Sequence, residues 1–305
     1  MEIQNDTPKV LDSVRTLLAG AVDYAGLFPP SSVSMSEAVL NYATYRNSNY
    51  SWMLGRFVVG AGRLNEFYDA AKDFVSHDTK HGWRVAVVAA DDLSETLRIV
   101  EDFNAANSPG IICDMIEMKA DTKYQIETVS KHVPQGVMVY FELDPARDLD
   151  EMLATVALAG QRAKIRTGGV TPETFPKSAD IVRFVKACVA ANVPFKATAG
   201  LHHPIRCFRP LTYEENAAQG TMHGFLNMFL MTGFAVEGYR RSFLEDVLEE
   251  EFEEVFEFDS TGVKWRDEFA LTNHQLTRLR TLGIQSFGSC SFDEPIEDLQ
   301  TLGVL

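Results

Sequence analysis

Cysteine is scarce in this sequence, with four cysteines among 305 residues. They are Cys113, Cys188, Cys207 and Cys290, and no two of them form a CxxC pair. Scattered cysteines of this kind argue against a disulfide framework and favour reduced thiols. We therefore expect a cytoplasmic location.

Positive charge is also in short supply, because 28 Lys and Arg residues stand against 43 Asp and Glu residues, a formal net charge of −15. This deficit disfavours non-specific binding to nucleic acid or to an anionic membrane. The sequence contains no apolar run of the roughly 18 residues that a membrane-spanning helix needs. Its acidic and polar first residues do not resemble a signal peptide. A small anionic metabolite is still a possible partner, because a local basic pocket can oppose the overall field.

Internal repeats and low-complexity linkers are absent as well, and short apolar runs instead alternate with longer amphipathic segments. We predict seven strand–helix pairs. The predicted strands are 19–26, 52–60, 83–90, 114–120, 137–144, 163–169 and 194–200. The predicted helices are 34–46, 64–77, 93–106, 122–132, 148–159, 178–191 and 223–238. An eighth strand is predicted at 284–292, followed by a short helix at 294–302.

Eight strand–helix units in about 300 residues predict a (β/α)₈ TIM barrel, an α/β fold. An open doubly wound sheet would show the same alternation, but the eightfold count and the lack of a GxGxxG motif after the first strand favour the barrel. We predict one domain, 1–305, with an insertion at 239–283 before the last strand, packed outside the barrel or over its mouth. Within it we expect an acidic helix at 242–258.

Charged side chains collect on the predicted strands, where a barrel builds its active site at the carboxyl ends. Because strand residues i and i+2 share a face, the inward-facing set can be read from the sequence. The cations of this set are Arg56, Lys119, Lys164, Arg166 and Lys196, and the carboxylates are Asp23, Glu117 and Glu142. Five cations against three carboxylates predict an anionic ligand such as a phosphate or carboxylate. Structural ion pairs that fill the barrel are the alternative.

Three short motifs on the last three predicted strands resemble those of class I aldolases of the deoxyribose-phosphate aldolase type. They are Lys164-x-x-Thr167-Gly168, which resembles the K-x-x-T-G motif; Lys196-Ala197-x-x-Gly200, which resembles the second lysine motif; and Gly288-Ser289-Cys290-Ser291, which is similar to the G-T-S-S phosphate loop. The sequence also resembles a set of uncharacterised bacterial proteins, which implies no particular reaction.

The aldolase resemblance implies a lyase that binds a small phosphorylated or carboxylated carbonyl compound as an imine, without a cofactor. Lys164 would form the imine, and the nearby Lys196, helped by Arg166 and desolvation, would lower its pKa. The backbone of 288–291, ahead of a helix, would bind a phosphate together with Gly200. Further predicted substrate ligands are Thr167, Thr198 and His203.

Two other functions fit the same residues. His202 or His203, together with Glu142, could provide acid–base chemistry or part of a metal site for an isomerase or hydrolase. If a carboxylate instead holds Lys164 charged, the lysine is a binding cation and the protein a non-catalytic anion-binding barrel. The sequence also leaves open whether the chain forms a homo-oligomer.

Overall fold

The computed structural model describes residues 10–76 and 81–305. The strands in these ranges are β1 (Val22–Tyr24), β2 (Leu54–Gly60), β3 (Trp83–Val88), β4 (Ile111–Lys119), β5 (Met138–Glu142), β6 (Arg162–Arg166), β7 (Phe195–Thr198), β8 (Cys207–Pro210), β9 (Gln219–Met222), β10 (Phe256–Phe258), β11 (Gly262–Trp265), β12 (Phe269–Thr272) and β13 (Ile284–Ser289). The α-helices are α1 (Asp12–Leu18), α2 (Met35–Arg46), α3 (Leu64–Ala71), α4 (Leu93–Asn107), α5 (Lys123–Ser130), α6 (Asp150–Leu158), α7 (Ser178–Ala190), α8 (Phe225–Val236), α9 (Arg241–Leu248), α10 (Asn273–Leu282) and α11 (Asp293–Thr301).

Eight of these strands form a closed parallel barrel in the order β1-β13-β7-β6-β5-β4-β3-β2. The last strand, β13, closes it by pairing with β7 on one side and β1 on the other. The predicted TIM barrel is therefore confirmed, and the open doubly wound sheet is wrong. The predicted strand at 284–292 is β13, which is shorter than expected because the chain turns into α11 after Ser289.

The helices begin where local chemistry allows. Ser34 caps α2, because its hydroxyl accepts a hydrogen bond from the backbone N–H of Glu37 at 3.2 Å, as the predicted capping pattern requires. Thr122 and Thr272 cap α5 and α10 in the same way, each with a glutamine three residues on. The predicted helix at 64–77 ends earlier, at Ala71, and its last predicted residue lies outside the described ranges.

The main hydrophobic core lies between the barrel strands and the surrounding helices, and a second small cluster fills the barrel itself. Helix α8 is apolar all round and buried from Phe225 to Ala235. A helix of this kind must be covered on both sides. The barrel strand β13 packs on one side of it, and α9, α10 and β12 pack on it from the 239–283 segment, which lies on the outside of the barrel.

The sequence prediction was wrong for two segments. The acidic helix predicted at 242–258 ends at Leu248, because the buried Glu250 side chain accepts hydrogen bonds from the N–H groups of Glu251 and Phe252 and pairs with Arg266. Between the predicted strand at 194–200 and the predicted helix at 223–238, where no element was predicted, the chain forms the antiparallel hairpin β8–β9. In the described ranges, no helix is both apolar enough and long enough to cross a membrane.

Candidate functional site

A cavity of about 450 Å³ opens at the carboxyl ends of the barrel strands. Much of its wall is apolar, formed by Ala25, Phe28, Pro29, Pro30, Val58 and Val88. Glu117 and Lys164 are among its polar lining residues, and both side chains are almost fully buried, with 3% and 7% exposed. The opening is formed by the loops that follow the strands, which is where TIM barrels place their active sites.

Below and beside this cavity, six charged side chains alternate in sign. The Lys196 ammonium lies 2.5 Å from Asp23 Oδ2 and 2.6 Å from Glu117 Oε1. The other Glu117 oxygen, Oε2, lies 2.8 Å from Lys164 Nζ. We call this set, Asp23, Lys196, Glu117, Lys164, Glu142 and Arg166, the charge chain. Its three cations and three carboxylates give it a formal net charge of zero.

The second half of the charge chain reaches the surface. Lys164 Nζ lies 3.0 Å from Glu142 Oε2, and Arg166 Nε lies 3.4 Å from Glu142 Oε1. Lys196 is fully buried, whereas 19% of the Glu142 side chain and 55% of the Arg166 side chain are exposed. The charge chain therefore runs from the buried barrel interior to solvent, with Lys164 in the middle.

Strand register explains how the sequence builds this arrangement. Lys164 pairs in register with Lys196 on one side and with Glu142 on the other, so the three inward-facing side chains lie next to each other. Glu117 enters from β4 and binds both lysines. Asp23 is held by the Ser286 hydroxyl, which donates to Oδ2 at 2.7 Å, and by a backbone N–H, which donates to Oδ1.

The buried partners set the protonation states. Burial opposes the charged form of Glu117, but the ammonium groups of Lys164 and Lys196 outweigh it and lower the pKa to about 2. Burial also opposes the charge of Lys196, yet Asp23 and Glu117 raise its pKa above the usual value. For Glu142, Lys164 and Arg166 overcome the desolvation and lower the pKa. Glu117 lies between Lys196 and Lys164, the two lysines whose like charges were predicted to interact, and each of its two oxygens binds one ammonium group.

Two of the predicted cations lie elsewhere. Arg56 Nε binds Asp114 Oδ1 at 2.7 Å, together with Arg84 on the same carboxylate, in a group of residues that does not line the cavity. Lys119 is 66% exposed at the end of β4 and lies 3.7 Å from Asp121. Neither of them lines the cavity, so the five predicted cations do not meet in one pocket. Strand alternation gives the face of a side chain but not its height along the barrel axis or its local partner.

The glycines of the first two motifs serve packing. Gly200 adopts a left-handed backbone with φ of 75°. A Cβ on Gly168 would lie 2.9 Å from the Gly200 Cα and 2.5 Å from the Phe175 ring. The loops after β6 and β7 thus touch through two glycines beneath Phe175. Thr167 helps to hold them, because its hydroxyl donates to the Ala199 carbonyl at 2.7 Å, so this predicted ligand is occupied within the protein.

Thr198, Gly200 and Gly288 do line the cavity, as predicted for substrate ligands. The Thr198 hydroxyl is buried and has no hydrogen-bond partner among the described residues.

Of the predicted phosphate loop, Gly288 and Cys290 line the cavity, whereas Ser289 and Ser291 do not. The Ser291 hydroxyl accepts from the Glu294 N–H at 3.1 Å, and the first turn of α11 carries two carboxylates. Anion binding at this loop stays a prediction, and these carboxylates oppose it.

The two adjacent histidines point to different partners. His203 Nδ1 lies 2.7 Å from Asp298 Oδ2, and His203 is not among the cavity-lining residues. His202 does line the cavity, with its Nδ1 3.7 Å from Cys290 Sγ and 3.5 Å from Glu294 Oε2. Sequence reasoning missed Glu294 and also Tyr213, whose hydroxyl lies 3.6 Å from Cys290 Sγ. Tyr213 sits in the turn of the unpredicted hairpin, so no strand pattern could place it.

Metal binding was one of the alternatives drawn from the sequence. Within residues 10–76 and 81–305, no three His, Cys, Asp or Glu side chains are grouped so as to hold a metal ion. Comparisons of the chain with protein-family models, curated proteins and solved structures found no significant match, so the interpretation of this site rests on its own residues and geometry.

Proposed function

We propose that the protein is a lyase of aldolase type, which binds a small carbonyl compound as an imine on Lys164. The observation that carries the proposal is the position of this amine in a cavity with largely apolar walls, between two carboxylates 2.8 Å and 3.0 Å away. The three motifs that resemble class I aldolases agree with it.

The charge chain suits imine chemistry because an iminium carries the same positive charge as the ammonium that it replaces. Glu117 and Glu142 would compensate either form. For the attack, Lys164 must first lose a proton, and Glu142 is the carboxylate within reach that is also in contact with solvent. The neutral amine then adds to the carbonyl carbon, and water leaves once its oxygen has been protonated.

The iminium then acts as the electron sink for carbon–carbon cleavage. The bond between the α and β carbons breaks, its electron pair forms an enamine, and the β-hydroxyl proton passes to a base as an aldehyde leaves. Tautomerisation and hydrolysis of the enamine return the second carbonyl product and free Lys164. In the reverse direction, the same steps join two carbonyl compounds.

The balanced charge of the site argues against a protein that only binds anions. Three cations face three carboxylates, so no net positive charge is left to attract a phosphate. Arg166, at the surface end of the charge chain, is the cation best placed to contact a carboxylated or phosphorylated tail. The acidic composition and scattered cysteines support a cytoplasmic setting for this chemistry.

Borohydride trapping tests the proposal. The protein is mixed with short aldehydes and ketones, reduced, digested and mapped by mass spectrometry. We expect a reduced adduct on Lys164, lost in Lys164→Arg because a guanidinium does not form an imine under these conditions. Lys119→Arg is the matched control, since Lys119 is an exposed strand-end lysine outside the cavity, and this variant should keep the adduct.

Two outcomes contradict the imine. One is the absence of an adduct with every short carbonyl compound, and the other is an adduct that persists in a folded Lys164→Arg variant. Either would leave Lys164 as a binding cation, the role that its two ion pairs also allow.

A further inference from the structure

A second reactive group lines the same cavity, and the imine mechanism does not use it. Cys290, at the start of the loop after β13, and His202, in the loop after β7, both contribute to the cavity wall. Cys290 is only 6% exposed, so small molecules would reach its sulfur through the cavity. The cysteine is one of four in the chain, and its surroundings set it apart from the others.

Polar side chains lie beside this sulfur, and a carboxylate contacts two of them. His202 Nδ1 lies 3.7 Å from Sγ, and the Tyr213 hydroxyl lies 3.6 Å from it. Glu294 supports both, because its Oε2 lies 3.5 Å from His202 Nδ1 and accepts a hydrogen bond from Tyr213 at 3.1 Å. His203 is the next titratable neighbour, with its Nε2 4.0 Å from Glu294 Oε1. The same imidazole nitrogen thus lies near both the sulfur and the carboxylate, and a histidine beside a cysteine is the pairing that activates nucleophilic thiols.

The charges of the cluster favour the ionised pair. Burial raises the pKa of the Cys290 thiol, but its interactions with His202, Ser31 and Tyr213 outweigh it and lower the pKa below the usual value. Burial acts against the His202 imidazolium, but Cys290 and Glu294 outweigh it and raise the pKa to about 9. Both shifts favour a thiolate beside an imidazolium. The other buried cysteines differ, because burial raises the pKa of both Cys113 and Cys188.

We propose that Cys290 is a second nucleophile of the cavity, a thiolate held by His202, which adds reversibly to a small uncharged aldehyde. The sulfur electron pair forms the new S–C bond, and the π pair of the C=O bond moves to oxygen. The His202 ring proton then passes to that oxygen. The products are a neutral hemithioacetal on Cys290 and a neutral imidazole, so no further reactant is needed.

The neighbours of the sulfur select the class of ligand. Glu294 adds a negative charge beside the thiolate, which opposes an anionic ligand at this end of the cavity. Aldehydes form hemithioacetals more readily than ketones do, because their carbonyl carbon is less hindered and more electrophilic. This choice of ligand rests on the proposed function, in which cleavage releases an aldehyde into the cavity. The nucleophilic character of Cys290 does not depend on Lys164.

Alkylation by iodoacetamide tests the thiolate without using Lys164. The rates at Cys290 and Cys207 are followed by peptide mass spectrometry across pH. Cys207 is the internal control, because it is more exposed than Cys290 but burial raises its pKa. Each unit of pKa difference changes the thiolate fraction about tenfold at a pH below both values. We expect Cys290 to react at least about tenfold faster than Cys207 at pH 7.

His202→Gln should remove this advantage while the Cys207 rate stays unchanged, which also shows that the variant is folded. Equal rates at the two cysteines in the natural protein would overturn the thiolate. A faster alkylation of Cys290 than of Cys207 that persists in His202→Gln would also overturn the thiolate held by His202.

A second experiment tests the aldehyde. A short aldehyde with ¹³C at the carbonyl is added to Lys164→Arg, which cannot form the imine, and carbon NMR is recorded. We expect a hemithioacetal resonance that disappears when Cys290→Ser is added. If Cys290 reacts rapidly with iodoacetamide and no such resonance forms, the aldehyde assignment is wrong. Failed borohydride trapping together with a hemithioacetal signal would reject the imine on Lys164 and keep the thiol site.

Discussion

Individual charged residues at the centre of the barrel are stable only as a group. An unpaired ion in a protein interior costs several kcal/mol, and a buried pair is far more costly to break than it is valuable to have. Lys196 is fully buried and has carboxylates on two sides, Asp23 and Glu117. Glu117 in turn has an ammonium on each oxygen. A lysine can therefore lie in the barrel interior because the neighbouring strands supply its counterions.

Glu117 is the residue on which both lysines depend, so Glu117→Gln should destabilise the fold. We expect a loss of about 3–5 kcal/mol in the free energy of unfolding at pH 7, the cost of removing one partner of a buried ion pair. Urea denaturation followed by circular dichroism measures it. Glu66→Gln is the control, because Glu66 forms an ion pair with Arg63 at the exposed surface and should have little effect.

The pH dependence of the stability difference between the natural protein and Glu117→Gln is a second readout. The pKa of Glu117 is about 2 in the folded protein, below its ordinary value of 4.5. A lowered folded pKa gives stability that is present above the unfolded value and is lost as the pH falls through the folded value. The gap between the natural protein and Glu117→Gln should thus be constant above about pH 4.5 and shrink towards pH 2. A gap that keeps its full size throughout this range would contradict the ionised carboxylate.

At the scale of strands and helices, period-2 alternation predicted which charged strand residues share a face. It placed Lys164 with Arg166, and Lys196 with Thr198, on the inner face, and the register of β6 and β7 then brought the lysines together. It could not place Arg56, because the partner that draws it away is Asp114, beside an irregularity in the pairing of β3 with β4. Partners that depend on such irregularities are not visible in the pattern of one strand.

Other elements carried no readable signal. Hairpin β8–β9 consists of two four-residue strands, and β8 is mostly exposed, so it lacks the apolar alternation that marks a strand. The end of α9 depends on Glu250, a glutamate within an acidic run whose burial is determined by Arg266 far along the chain. These are tertiary effects that override local propensity. The count of eight strands, by contrast, rested on short apolar runs that alternate with longer amphipathic segments, and the closed barrel confirmed it.

The contact between the loops after β6 and β7 should not tolerate a methyl group. In Gly168→Ala, the new Cβ would meet the Phe175 ring and the Gly200 backbone, and backbone cannot move aside cheaply. We expect a loss of about 1–3 kcal/mol from overpacking and weaker ligand binding, since both glycines line the cavity. Gly62→Ala is the control, because nothing lies within 4 Å of its added Cβ. Equal melting temperatures for the two variants would show that the loops can separate freely.

For the whole molecule, the acidic excess and the balanced interior are separate properties. The formal net charge is −15, yet the charge chain sums to zero. The excess therefore lies outside the site, in exposed positions such as Glu253 and Glu254. Repulsion among such charges destabilises a compact state, and dissolved salt screens it, whereas buried pairs are screened much less.

Salt should therefore stabilise this protein at neutral pH. Raising sodium chloride from about 0.01 M to about 1 M shortens the Debye length from about 30 Å to about 3 Å, and the Tm should rise as repulsion weakens. The rise should be smaller near pH 5, close to the isoelectric point of about 4.9, where the net charge is small. Differential scanning fluorimetry at both pH values measures this.

Sulfate at a few millimolar, added at constant ionic strength, separates general screening from the anion site predicted at 288–291, because a specific ligand raises the Tm by binding the native state. A Tm that rises with sulfate under those conditions supports that site, and a Tm that salt leaves unchanged at pH 7 would refute the repulsion argument.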